Sequence, residues 1–139
     1  MIRNRLAWSV AFVLFGLGIV MGHWAGAEEG DKPMIYELRT YTTAAGRLPA
    51  LHKRFRDHTM RIFEKHGIKN VVYLTPTDKE ETLVYLIAHE SKAAADASWA
   101  AFREDPEWQK VAEESQRDGR IVTKVESQYL EPTDYSPLK

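Results

Sequence analysis

An α+β fold, a four-stranded antiparallel sheet with helices on one face, is predicted by three features of this sequence. Stretches of two-residue alternation are separated by stretches of helical spacing. Their order is strand, helix, strand, strand, helix pair, strand. The strands also carry apolar residues on both faces, so both sides of the sheet should meet protein.

The first 27 residues differ in character from the rest. Met1 to Arg5 is basic through Arg3 and Arg5, Leu6 to Met21 is an almost unbroken apolar run, and Ala25-Gly26-Ala27 fits the small-x-small rule for cleavage before Glu28. Residues 1–27 therefore read as a secretory signal peptide cleaved after Ala27. The expected destination is the periplasm or the exterior, with no stable membrane insertion after cleavage. An uncleaved anchor is the alternative, weakened by a run near the short limit for spanning and by Gly16, Gly18, Gly22 and His23.

The chain has no cysteine, which excludes disulfides, thiolate metal sites, cysteine nucleophiles and a lipid-modified cysteine anchor. Cleavage would remove Arg3 and Arg5 from 19 basic residues and nothing from 20 acidic ones. That leaves a small negative charge and no basic stripe interleaved with aromatics, which argues against a nucleic-acid partner.

Residues 28–33 are a polar, flexible lead, and the domain is expected over 34–137. In Met34 to Tyr41, alternation places Tyr36 and Leu38 on one face and Ile35, Glu37, Arg39 and Tyr41 on the other. The first pair is expected against helices. The second set is too aromatic for open water and too charged for a dry core, so a second sheet is its expected cover, with an ordinary edge strand as the alternative.

Leu48-Pro49 opens a helix with proline near its first position, and Leu51, Phe55, Thr59, Ile62 and His66 continue at spacings of three and four up to a Gly67 cap. Ile68 to Thr75 and Thr82 to His89 are β-rich and joined by a short polar turn, so they form a hairpin. Ser91 caps a helix over Lys92 to Arg103 with an Ala95, Trp99 and Phe102 stripe. Asp105-Pro106 restarts it with Trp108, Val111, Ala112 and Ser115 on one face. A last strand runs from about Ile121 to Leu130. This order is the split βαβ pattern of a ferredoxin-like domain, whose open sheet face a second copy would close around a two-fold axis.

Several segments together carry a resemblance: Tyr36-Glu37-Leu38-Arg39-Thr40-Tyr41, Gly46, His58, His66-Gly67, Asp105-Pro106-Glu107-Trp108-Gln109 and Pro132-Thr133-Asp134-Tyr135-Ser136-Pro137. With these, the stretch from Met34 to Pro137 resembles the NIPSNAP family of the dimeric α+β barrel superfamily. The resemblance implies a ferredoxin-like protomer pairing into a sheet-on-sheet homodimer. The wider superfamily includes cofactor-independent monooxygenases, haem-degrading enzymes, small isomerases and dehalogenase-like proteins, which bind small ligands between sheet and helices. The signal peptide departs from the intracellular and mitochondrial members.

His58, three residues after Phe55 and four before Ile62, is expected to project against the sheet, where Tyr36, Tyr73 and Tyr85 offer hydroxyls. It is the candidate catalytic base; the favoured alternative is a satisfied structural histidine. Arg39 and Trp99 complete the expected ligand-binding set of Tyr36, Arg39, His58, Tyr73, Tyr85 and Trp99, for a small apolar or aromatic ligand. Glu37, Arg39 and Tyr41 are assigned to the dimer interface, with an anion or enolate contact as the functional reading of Arg39. His66 is read as a helix-end capping group. No metal site and no cofactor are expected, because no helical ligand pair and no proximal haem motif is present. Two function classes follow: a small-molecule-binding or scaffold module without turnover, which is favoured, and a cofactor-independent monooxygenase or isomerase-like enzyme acting on a small aromatic or enolisable molecule.

Overall fold

The computed structural model describes residues 34–138. The signal peptide and flexible lead expected from the sequence lie outside the described residues. The elements are β1 (Ile35–Thr43), α1 (Leu48–Arg54), a π-helical turn (Phe55–Thr59), α2 (Met60–Lys65), β2 (Lys69–Leu74), β3 (Thr82–His89), α3 (Lys92–Glu104), α4 (Pro106–Ser115) and β4 (Val122–Leu130). All neighbouring strands are antiparallel in the order β2-β3-β1-β4, and the helices pack on one face. This is the ferredoxin-like α+β architecture that the order of periodicities predicts.

Local chemistry sets most boundaries. Ser91 accepts the Ala94 N–H at 3.0 Å, and Asp105 accepts those of Glu107 and Trp108 at 2.7 and 3.3 Å ahead of Pro106. Gly67 closes the first helix at φ 76°, a left-handed conformation that glycine adopts without cost. The start of α1 is capped from a distance. Arg47 contributes no capping side chain, and the Glu81 carboxylate instead accepts from Gly46 N at 2.6 Å, Leu48 N at 3.1 Å and Thr43 Oγ1 at 2.5 Å.

Two sequence expectations are corrected here. Glu37, Arg39 and Tyr41 pair with Ile87, Tyr85 and Leu83 and face the helices, where α3 supplies Trp99 and the first helix supplies Phe55. Tyr36 and Leu38 lie on the opposite face. The interface assignment of Glu37, Arg39 and Tyr41 is therefore overturned, because a buried charge that finds enough donors belongs in a core. The open face presents Leu38, Val84 and Leu86 with Val72 and Leu74, the last two 39% and 55% exposed.

The second correction concerns the first helix. Met60 N–H bonds to Phe55 O, five residues back, and Thr59 Oγ1 bonds to Arg54 O at 3.2 Å. A turn of this kind holds one residue more than an α-turn, which delays the helical phase. The buried stripe becomes Leu51, Phe55, Thr59, Ile62 and Phe63, and His58 is rotated off it to a half-buried position away from the sheet.

Candidate functional site

Beneath α3, Glu37 is 1% exposed and still an anion. Its Oε1 accepts from Arg39 Nη1 at 2.5 Å and Ser127 Oγ at 2.6 Å, and its Oε2 from Trp99 Nε1 at 2.7 Å and His89 Nε2 at 3.0 Å. A carboxylate can only accept, so the His89 proton sits on Nε2. Burial pushes the Glu37 pKa up, and the donors from His89, Ser127, Trp99 and Arg39 outweigh it, bringing the value to about 2. The Arg39 guanidinium lies 4.3 Å from the Trp99 ring centroid and 5.5 Å from that of Tyr41, with Nη2 donating to Tyr41 Oη at 3.3 Å. A polar cleft of about 320 Å³, bordered by Asp96, Arg103 and Tyr129, opens above this cluster. Four donors hold Glu37 ionised, so it is an anchor tying α3 to β1, β3 and β4 rather than a proton carrier.

A larger cleft of about 420 Å³ lies between the first helix and the β2–β3 edge. Phe55, Met60, Tyr73, Leu74 and Leu83 make it largely apolar, and His52, Arg56 and Thr75 stand on its polar side. A register shift between Asn70 and Val72 puts Asn70 and Tyr73 on the same face, although they are three residues apart. Tyr73 Oη donates to Asn70 Oδ1, and Asn70 Nδ2 donates to Met60 O and Glu64 Oε1, both at 3.0 Å. The Tyr73 ring stacks on buried Tyr85 at 5.3 Å and 16°, and Phe55 stands edge-on to both. Burial raises the Tyr73 pKa and keeps the hydroxyl protonated. Its donor is committed to Asn70, which leaves its oxygen able to accept from a ligand.

Of the expected ligand set, Arg39 and Trp99 meet at the polar cleft, and Tyr73 and Tyr85 meet at the apolar one. Tyr36 is buried on the other side of the sheet. His58 lines a third groove of about 280 Å³ between the first helix and α4, together with Arg47, Arg54 and Ser115. His66 is the C-cap residue of α2, at the helix end expected from the sequence, and its Nε2 contacts Asp105 Oδ2 at 2.6 Å across to α4. Sequence reasoning passed over His89, Ser127, Met60 and His52. His89 was legible in part, as a polar residue ending the Leu83, Tyr85 and Ile87 face; Ser127 depends on the pairing of β4 with β1, which no local pattern reveals.

Residues 36–137 match the family model described as NIPSNAP. A crystal structure of a NIPSNAP family protein with unknown function from Agrobacterium tumefaciens superposes with a TM-score of 0.68 at 27% identity, covering 78% of this chain and 96% of that one. An uncharacterised NIPSNAP-like domain protein from Burkholderia xenovorans gives a TM-score of 0.67 at 20% identity over 76% of this chain and 90% of its own. A putative antibiotic biosynthesis monooxygenase from Nitrosomonas europaea shares the fold alone, at 14% identity and a TM-score of 0.56, covering 78% and 96%. No curated protein matches.

Proposed function

This chain belongs to the NIPSNAP family, and from that premise we propose that it is an exported, homodimeric small-molecule-binding protein whose ligand occupies the cleft between the first helix and β2. The observation that carries this reading is the cleft itself. Its roughly 420 Å³ lies within the usual range for small-ligand sites, its walls are mostly apolar, and Tyr73 offers one oriented acceptor. The ligand it fits is a small aromatic molecule bearing one hydrogen-bond donor. Export rests on the residues 1–27 pattern. Dimerisation rests on the apolar open face around Val72, Leu74, Val84 and Leu86, which a second copy would cover. His52 on the polar side of the cleft is the group through which a cofactor-independent turnover would exchange a proton, which supports enzymatic action as the second reading.

Calorimetric titration with phenol and toluene tests the site. Both should bind saturably in the wild type, and Met60→Trp should fill the cleft and abolish binding of both. Tyr73→Phe should weaken phenol alone, by about 2- to 13-fold, the effect of one neutral hydrogen bond. Absence of saturable binding in the wild type, or unchanged binding in Met60→Trp, would contradict this assignment.

A further inference from the structure

The π-helical turn that removes His58 from the sheet follows directly on Arg54, which points inward beside Phe55. Arg54 is 7% exposed, and among the described residues no carboxylate lies within ion-pair distance of it. Its guanidinium makes one hydrogen bond, from Nη1 to Ser115 Oγ at 3.4 Å, and lies 5.3 Å from the Trp108 ring centroid. Its Nε–H is buried with no acceptor. Arg39 shows the contrast, since its counter-ion Glu37 is built in. A buried guanidinium without a counter-ion is costly, and a protein retains one most readily where something outside the chain supplies the negative charge.

Arg54 lines the same 280 Å³ groove as His58 and Arg47. Arg47 spends Nη2 on the Ser115 and Gly119 carbonyls, both at 3.2 Å, and its Nε–H is likewise buried without an acceptor. Of the charges nearby, Lys53 pairs with Asp57, and Glu114 lies 3.7 Å from Arg117. We propose that this groove between the first helix and α4 is a binding site for a small oxyanion, the phosphate or carboxylate group of a ligand, held by Arg54 with Arg47 and His58 on its walls. The planar guanidinium fork matches two oxygens of either group. Glu114 and Asp118 on the groove wall disfavour a ligand carrying many charges.

The site is separate from the apolar cleft, so each can fail alone. Its test is thermal unfolding of the protein in inorganic phosphate and, separately, in sodium acetate, against sodium chloride at matched ionic strength. The wild type should show a saturable rise in Tm with phosphate or acetate that chloride does not reproduce. Phosphate alone identifies a phosphoryl group, and a response to acetate identifies a carboxylate. Arg54→Met should weaken the apparent affinity at least about tenfold. Should that variant fail to fold, Ser115→Asp keeps the test alive: a carboxylate placed beside the guanidinium should raise Tm in the absence of anion and remove the response. A wild type that responds to neither anion beyond chloride, or a response unchanged in either variant, overturns the proposal.

Discussion

Glu37 is held by chemistry that can be tested one atom at a time. A carboxylate with a folded value of about 2 against an ordinary 4.5 stabilises the fold by roughly 3 kcal/mol where both states are ionised. That contribution is fully present above pH 4.5 and is lost as the pH falls through 2. Glu37→Gln should therefore cost roughly 3 kcal/mol in urea unfolding at pH 7, as expected for breaking a buried pair and leaving Arg39 uncompensated. The gap between wild type and variant should narrow below about pH 4.5. A gap that is constant from pH 7 to pH 3 would show that Glu37 is not the anion described. At this scale the sequence announced that Glu37 and Arg39 were neighbours on one face, since period two dictates it. It could not announce which face met the helices, because the decisive donors, Trp99, His89 and Ser127, come from three other elements.

At the scale of elements, the strand pattern and the capping residues were legible, and the structure's β3 has the bounds read from the sequence, Thr82–His89. Ser91, Asp105, Pro106 and Gly67 carry their signals locally. Three devices had no local signal: Glu81 capping a helix 33 residues before it in the chain, the register shift that aligns Asn70 with Tyr73, and the π-helical turn. The last explains why the expected site at His58 faces elsewhere, since Leu51, Phe55, His58 and Ile62 would form one stripe only at an unbroken 3.6-residue period. If the turn is a one-residue insertion, deleting Asp57 from it should restore a plain α-helix and keep the inward stripe in phase. Deleting Lys53 from α1 should instead rotate Leu51 out of the core. The Asp57 deletion should retain a cooperative thermal transition and helical circular dichroism, and the Lys53 deletion should lose most of its stability; equal losses would contradict this reading of the helix.

For the molecule as a whole, the ferredoxin-like order was readable because each element advertises its own period and the sequence of periods leaves few topologies. Which face is left open was not readable, since it bears Leu38, Leu86 and Val72 rather than Glu37, Arg39 and Tyr41. On the proposed dimer, Val72→Arg should give a monomer by light scattering at micromolar concentration where the wild type is dimeric, with the protomer fold intact. A wild type that is itself monomeric would remove the dimer and leave the clefts untouched. The central claim, that the cleft between the first helix and β2 receives a small aromatic molecule, is tested most directly by methyl NMR of the wild type titrated with phenol. Saturable shifts should concentrate on the Met60 and Leu83 methyls, with little change at Ile62 or Ile121 in the closed core. Shifts that never saturate, or that fall on other methyls while these two stay still, would contradict the claim.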